Sequence, residues 1–222
     1  MDTALLLLVV AVVVVVSFDF SNGFHDTANL ISTAIASRAL RPAQAALIAG
    51  VFTFVGPILA GTAVADTVGS IVELGDLPAA RAVAVVICAT GGALLWNVGT
   101  WLLGLPSSSS HALVGALCGV AVVVSGSGGV RWGFAELFQR HQLVGLTKVL
   151  ATLVLSPVAG FLAGYSTHAI ARRLLRRASP PVNRPIKLLQ IAGTAFMAFS
   201  HGANDAQKSM GVLTLVLVLA GR

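Results

Sequence analysis

The sequence predicts an all-α membrane protein, a polytopic bundle of transmembrane helices. Of its 222 residues, 56% are hydrophobic and only 10% are charged, whereas a soluble domain has about 25% charged residues. The apolar runs at 43–65 and 82–105 are long enough to span a bilayer as helices. Because lipid offers the backbone no hydrogen bonds, a spanning segment must be a helix or part of a closed barrel. These runs lack the alternation of apolar and polar residues that is typical of barrel strands. The spanning segments are therefore predicted to be helices.

The first apolar run, 4–16, is expected to be a transmembrane helix and not a cleaved signal peptide. The preceding residues Met1-Asp2-Thr3 lack the positive charge of a signal peptide, and no small-residue cleavage site follows. The two cysteines, Cys88 and Cys118, lie in apolar helical sequence without metal or redox spacing, which indicates inert side chains.

Basic residues set the predicted topology. The formal charge is +6, and six Arg and Lys residues cluster between 172 and 187 in a Pro-containing loop. Cytoplasmic loops are rich in Arg and Lys, so this cluster indicates a cytoplasmic loop rather than a nucleic-acid site. A second basic loop at Arg38 and Arg41 is then also inside, and the N-terminus is outside. The acidic residues Asp66, Glu73 and Asp76 fall in an outer loop.

The remaining spans follow from the hydrophobic runs, at 43–65, 80–104, 145–170 and 187–219. The segment from Pro106 to Ser125 either crosses the membrane or dips into it and returns. An amphipathic segment at 132–141 is expected at the membrane surface, with Trp132 at the depth of the lipid headgroups.

Two segments share the pattern Ser-x-Gly-x-x-Asp, at 21–26 and 200–205. In the predicted topology they run in opposite directions, which is typical of inverted repeats whose broken helices meet at a substrate site. The predicted organisation is a first repeat at 1–170, a basic loop at 171–186, and the incomplete start of a second repeat at 187–222.

Three of the eight acidic residues, Asp19, Asp26 and Asp205, fall within or beside apolar spans. A carboxylate at the bilayer centre costs about 2.5–3.5 kcal/mol, so each is expected to have a partner or a function. Asp19 fits a capping or pairing role as well as a functional one. The repeated motif favours a function for the other two.

The neighbours of Asp26 and Asp205 are suited to binding ions. Gly23 is expected to break its helix and expose backbone groups to a ligand. Carboxylate and amide oxygens suit a hard cation such as Na⁺, whereas His25 beside Asp26 suits a proton. Lys208 suits either anion binding or neutralisation of Asp205, and both roles stay open. The other polar neighbours are Asn22, Thr27, Asn29, Ser32, Thr33, His201, Asn204, Gln207 and Ser209.

A third motif, Gly104-Leu-Pro-Ser-Ser-Ser-Ser-His111, begins a Ser-rich hairpin at 104–125. Pro106 ends the preceding helix, and serine favours the start of the next one, where free N–H groups bind anions. An ordinary capped helix explains this motif alone equally well. With the acidic motifs, it predicts an oxyanion held by helix termini and hydroxyls, with carboxylates binding a coupling cation. Asn97 and Gln190 are interpreted as contacts between helices.

The three motifs resemble those of the inorganic phosphate transporter (PiT) family, bacterial low-affinity type. The matching segments are 18–29, 104–111 and 200–211, and Trp96-Asn97 and 155–160 are also similar. The resemblance covers essentially the whole chain. It implies a secondary transporter in the plasma or inner membrane that takes up phosphate with a cation. It also implies inverted repeats, each with an Asp signature and a re-entrant hairpin.

The resemblance assigns residues to two sites and implies no catalytic residue, resident metal or cofactor. His25 replaces the Asn of many sodium-coupled members and resembles a bacterial branch that takes up phosphate with protons, often as a metal-phosphate complex. H⁺ is therefore favoured over Na⁺, with a divalent metal as cargo. The substrate-binding residues are Ser107, Ser108, Ser109, Ser110, Asn29, Asn204 and Asp205. The cation-coupling residues are Asp26, Asn22, His25 and Asp205.

Family members carry a further Ser/Thr-rich hairpin beyond the second Asp signature, whereas this sequence stops at Arg222. The C-terminal third is therefore expected to be missing or supplied by another polypeptide, and a homo-oligomer is a further option. The chain alone is expected not to sustain phosphate uptake. The alternatives are a sulfate or other oxyanion permease of the same fold, and a non-transporting membrane subunit. A membrane enzyme is disfavoured because Gly, Asn and Ser flank each Asp.

Overall fold

The computed structural model describes residues 3–74 and 77–221, and these form a bundle of helices. An isolated β-bridge joins Val72 and Val130, and short 3-10 turns lie at 126–129 and 180–182. The fold class predicted from composition is therefore confirmed. The α-helices are α1 (Thr3–Ala36), α2 (Pro42–Leu59), α3 (Ala63–Gly69), α4 (Ala79–Leu102), α5 (Ser109–Ser125), α6 (Phe134–Arg140), α7 (Gly145–Leu174) and α8 (Asn183–Leu219).

Five segments are long and apolar enough to cross a membrane: α1, α2, α4, α7 and Ser109–Gly129. Their outer surfaces are apolar and uncovered by protein. Phe54 of α2, Leu95 of α4 and Val123 of α5 are 73%, 75% and 85% exposed. Lipid solvates such surfaces while each helix satisfies its own backbone hydrogen bonds. The protein is therefore a multi-pass membrane protein.

The polar helix α8 lies at the centre of the bundle and packs against α1, α2, α3 and α4. Its buried side chains include Asp205, Gln207, Lys208 and Ser209. Ionised groups are costly in hydrocarbon and are found facing a bundle interior. The surrounding helices therefore shield α8, which, among the described residues, carries buried charges of both signs.

Helices α1 and α8 run antiparallel. Along the contact between them, residue numbers rise in α1 while they fall in α8. The contacting pairs are Asp19 with Ser209, Asn22 with Asp205, and Thr33 with Gln190. The two Ser-x-Gly-x-x-Asp motifs thus face each other in opposite directions, as expected. The extension of this relation to two whole repeats remains a prediction.

The contact between Thr33 and Gln190 also brings the end of α1 close to the start of α8. The basic loop at Arg38 and Arg41 therefore lies at the same end of the bundle as the basic cluster at 172–187. Loops rich in Arg and Lys stay in the cytoplasm, so both loops agree with the predicted topology.

The structure corrects the prediction of broken helices, because α1 continues through Gly23 and α8 through Gly202. The Gly23 carbonyl accepts a bond from the Thr27 hydroxyl one turn later. In α8 the glycine serves packing, since a Cβ on Gly202 would lie 2.1 Å from the Thr53 carbonyl oxygen of α2. Small residues at such crossings let membrane helices approach closely.

A second correction concerns the span predicted at 43–65, where α2 ends at Leu59 and a separate helix, α3, begins at Ala63. Gly61 between them has φ +76°, a left-handed conformation that ends helices and favours glycine. Asp66 lies in α3 instead of a loop and accepts a bond from Thr62 Oγ1 at 3.2 Å. Asp76 lies outside the described residues.

The serine segment begins within the bundle, well short of the cytoplasmic end of α1. Helices α1 and α4 run parallel, because Ser21 contacts Asn97 and Phe24 contacts Trp101. From that level, α4 continues for about 8 Å and α1 for about 22 Å, at about 1.5 Å per residue. The loop 103–108 therefore lies about 14 Å short of the end of α1 along the bundle. Because α4 and Ser109–Gly129 are each long enough to cross a membrane, both alternatives for the segment after Pro106 stay predictions.

Helix α6 lies within the amphipathic segment predicted at 132–141. Trp132 precedes it and stacks on Phe134, with ring centroids 6.2 Å apart. After α6, helix α7 is buried only at its first residues, Gly145 to Thr147. Most of α7 is exposed, so its first turns form its main attachment to the bundle.

Gly202→Ala should destabilise the bundle, because the new methyl group meets backbone atoms of α2 that cannot move independently. We expect a loss of about 1–3 kcal/mol, the usual cost of overpacking, measured by thermal unfolding in detergent. Gly23→Ala is the matched control, since its Cβ would meet nothing within 4 Å. Equal stability of the two variants would contradict this account of α2–α8 packing.

Candidate functional site

Asp205 lies at the centre of a polar cluster between α1 and α8 and is only 9% exposed. Its Oδ1 is 2.7 Å from Lys208 Nζ. Its Oδ2 accepts a bond from Asn22 Nδ2 and lies 3.1 Å from His201 Nε2. A buried carboxylate needs a countercharge and hydrogen-bond donors, and here α1 and α8 together supply them.

Lys208 connects this cluster to the serine hairpin. Its ammonium donates to Ser109 Oγ at 2.9 Å and to Ser110 Oγ at 3.0 Å, in addition to its ion pair with Asp205. An ammonium has three N–H donors, and these three partners account for all of them. The sequence left two roles open for Lys208, neutralisation of Asp205 and anion binding. The structure shows that Lys208 neutralises Asp205. It also places the ammonium beside serine hydroxyls that an anion site would use.

The first Asp motif contributes to the same cluster. One ligand atom each of Asp26, His201 and Asp205 lies within 4.8 Å of the others, and His25 Nδ1 is 3.1 Å from Asp26 Oδ1. Nearby, Asn22 Oδ1 is buried without a hydrogen-bond partner. Buried polar atoms nearly always have one, so this oxygen is available to a cation or a donor.

On the other side of Lys208, a cavity of about 580 Å³ opens between α3, α5, α7 and α8. No carboxylate among the described residues lines it, whereas two ammonium groups do. Hydroxyl, amide and imidazole groups complete the polar wall. The polar lining residues are Thr67, Ser108, Ser110, His111, Lys148, Thr152, Ser156, Asn204 and Lys208. This wall is rich in donors and positively charged.

The structure separates the predicted substrate residues into two groups. Ser109 and Ser110 contact Lys208, and Ser108 lines the cavity while accepting the His111 N–H at 3.5 Å as the cap of α5. Asn204 also lines the cavity. Two predicted residues lie elsewhere. Ser107 accepts a bond from Trp96 Nε1 at 2.9 Å, and Asn29 is exposed on α1 and outside the cavity lining.

Three polar residues in the spans hold helices together. Ser209 donates to Asp19 Oδ1 at 2.8 Å, which gives Asp19 a pairing role between α8 and α1. Asn97 donates to Ser21 Oγ at 3.4 Å. Gln190 donates to the Thr33 carbonyl at 3.5 Å. The interpretation of Asn97 and Gln190 as contacts between helices is therefore confirmed.

The contacts of two further side chains were not predicted, although the sequence had named Gln207 as a polar neighbour of Asp205. Gln207 accepts the Val64 N–H at 2.9 Å and so fixes the start of α3 against α8. Lys148, which lines the cavity beside Lys208, donates to Thr67 Oγ1 at 3.0 Å. A lysine inside a predicted apolar span is a usable signal for function, and Lys148 carries that signal.

A larger cavity of about 810 Å³ lies between α1, α2 and α8, on a different side of α8. Its lining is mainly apolar, with Asp19, Thr27 and Thr53 as the polar members. Thr27 and Thr53 already donate to helix carbonyls. The cavity beside Lys208 has nine polar lining residues against three here, although Thr67 and Thr152 there also donate to helix carbonyls.

Comparison with known proteins gives a consistent result. A family model described as the phosphate transporter family matches residues 22–221. A probable low-affinity inorganic phosphate transporter of Bacillus subtilis (strain 168) is 37% identical over 222 residues, which are 99% of this chain and 62% of the relative. One of Streptomyces halstedii with the same name is 43% identical over 205 residues, 90% of this chain and 89% of the relative.

A third relative, the low-affinity inorganic phosphate transporter PitB of Escherichia coli (strain K12), is 32% identical over 237 residues, 96% of this chain and 46% of the relative. The chain thus spans between 46% and 89% of the length of these three relatives. No solved structure matches the chain.

Lys208→Met should destabilise the protein strongly, because it leaves the buried Asp205 without its countercharge. Breaking a buried pair from one side costs about 3–5 kcal/mol. The double variant Lys208→Met with Asp205→Asn should recover most of this loss, since neither charge then remains. Denaturant unfolding in detergent would measure both. A single variant as stable as the parent would show that the pair does not stabilise the bundle.

Proposed function

The chain belongs to the phosphate transporter family, and from that membership we propose that it carries inorganic phosphate across the membrane as a secondary transporter coupled to a cation. The names of its relatives, which are transporters and not enzymes, support this. The observation that carries the proposal is the position of Lys208, which joins Asp205 to the Ser109 and Ser110 hydroxyls beside a donor-rich cavity.

The cavity beside Lys208 suits a tetrahedral oxyanion. Such an anion needs several hydrogen-bond donors in a small volume, and charge-assisted bonds from ammonium groups are the strongest of these. Ser108 and Ser110 place hydroxyls at the start of α5, where backbone N–H groups also favour anions. Because the described lining has ammonium groups and no carboxylate, it favours the free anion over a neutral metal-phosphate complex.

The coupling cation is proposed to bind on the opposite side of Asp205, between Asp26, His201 and the free Asn22 oxygen. A positive charge there competes with Lys208 for the Asp205 carboxylate. The Lys208 ammonium and the serine hydroxyls then become available to phosphate. Asp205 thus links the two sites electrostatically. Two imidazoles, of His25 and His201, adjoin the carboxylates, which favours H⁺ over Na⁺ as the coupling ion.

The purified chain in detergent should bind radiolabelled inorganic phosphate, measured by equilibrium dialysis. Replacing both Ser109 and Ser110 with Ala should weaken binding at least about tenfold, because two hydroxyl donors are lost, each worth about 1 kcal/mol. Ser32→Ala is the control, since that hydroxyl bonds only to its own helix, at the Asn29 carbonyl. Circular dichroism would verify that each variant is folded.

Competition in the same assay separates the candidate functions. Arsenate should displace phosphate and sulfate should not. Equal displacement by sulfate would indicate a general oxyanion permease. No phosphate binding by the unaltered chain would contradict the proposed function of this chain.

Asp26→Asn should remove the cation dependence of phosphate binding, because it deletes one carboxylate of the proposed cation site. We expect phosphate affinity to rise with the coupling cation in the unaltered chain and to be independent of it in the variant. Titrations with H⁺ and Na⁺ would identify the ion. Asp66→Asn, in α3 and outside the cluster, is the control. An unchanged cation dependence in Asp26→Asn would refute this assignment.

A further inference from the structure

We propose that Lys148 binds the transported phosphate and supplies the net positive charge of its cavity. This inference rests on the proposed function and adds a residue that neither the sequence motifs nor the family resemblance indicated. Lys148 lies in the first turn of α7, far in sequence from all three motifs. It is the second ammonium group lining the cavity that also contains Lys208 and Ser110.

The charge balance of the cavity distinguishes the two lysines. Lys208 is 4% exposed and forms an ion pair with Asp205 at 2.7 Å, so its field is largely cancelled by the carboxylate. Lys148 forms no ion pair with any carboxylate of the described residues. The net charge that an entering anion meets therefore comes from Lys148.

The present partner of Lys148 is readily replaced by phosphate. Its ammonium donates to the Thr67 hydroxyl at 3.0 Å, while that hydroxyl donates to the Ala63 carbonyl. A bond from an ammonium to an ionised oxygen is about twice as strong as a bond between neutral groups. A phosphate oxygen next to Thr67 would therefore compete well for the ammonium. The four-carbon lysine chain lets the group move with the ligand.

The position of Lys148 also suits attraction of the anion from outside the cavity. Its side chain is exposed, whereas Lys208 is buried. An exposed charge at a low-dielectric cleft raises the local concentration of counter-ions, and this effect weakens with salt. Lys148 is therefore expected to affect phosphate affinity in a salt-dependent manner, which a purely structural residue would not do.

The test is equilibrium dialysis of radiolabelled inorganic phosphate against the purified full chain. Lys148→Met should raise the Kd about tenfold, the equivalent of about 1.4 kcal/mol. Lys148→Arg, which keeps the charge, should stay within about threefold of the parent. Lys187→Met, which removes the lysine of the basic cluster, is the matched control and should leave the Kd unchanged.

Salt provides a second measurement. Between low and high choline chloride, the Kd of the parent should rise more steeply than that of Lys148→Met, because the variant lacks the screened charge. Parallel slopes for the two proteins would overturn the proposal, as would an unaltered Kd in Lys148→Met.

Two controls separate this inference from its premise and from a lipid ligand. If the parent binds no phosphate, the proposed function fails; if the parent and Lys148→Met bind it equally, only the role of Lys148 fails. Phosphatidylglycerol micelles should not displace phosphate from the parent. Displacement by phosphatidylglycerol that depends on Lys148 would assign this ammonium to a lipid headgroup and overturn the inference.

Discussion

The ion pair between Asp205 and Lys208 is the constraint on which the rest of the bundle depends. Two opposite charges, one turn apart on α8, are both buried within a membrane protein. Each is tolerable only because the other neutralises it and because neighbouring helices supply further partners. Asn22 from α1 and the two serines from α5 complete their hydrogen bonds. This pair thus lies where α1 contacts α8 and where α5 begins.

The same pair requires close packing, because water reaching it would weaken the electrostatic linkage between the two proposed sites. Glycine achieves this packing between α2 and α8. A Cβ on Gly56 would overlap the carbonyl oxygen of Phe199, and a Cβ on Gly202 would overlap the carbonyl oxygen of Thr53. Polar side chains add hydrogen bonds between helices near this pair. Gln207 of α8, for example, accepts the Val64 N–H at the start of α3. Packing and charge therefore converge on one short stretch of α8.

The fold was largely predictable because long apolar runs and clustered Arg and Lys depend on local sequence alone. The end of α2 could not be predicted, because the sequence stays apolar beyond Leu59. Hydropathy does not detect the left-handed conformation of Gly61, which ends the helix. The site was predictable only in part. The residues 21–29 cover more than two turns of helix, so the motif could not show that Asn22 faces α8 while Asn29 is exposed. The role of Gly202 depends on Thr53, and the cavity at Lys148 depends on four helices, so neither is encoded locally.

Gly23 and Gly202 occupy the same position in the two motifs but differ in the space around them. A side chain at Gly202 would meet α2, whereas one at Gly23 would not meet a neighbour. Gly23 is exposed, nothing lies within 4 Å of a side chain placed there, and it is three residues from Asp26 on a continuous helix. A single cysteine at position 23 would therefore carry a fluorescent or spin label on the same side of α1 as the carboxylate without displacing a neighbour. Once Cys88 and Cys118 are replaced, such a label gives a spectroscopic reporter of ion occupancy in the bundle itself.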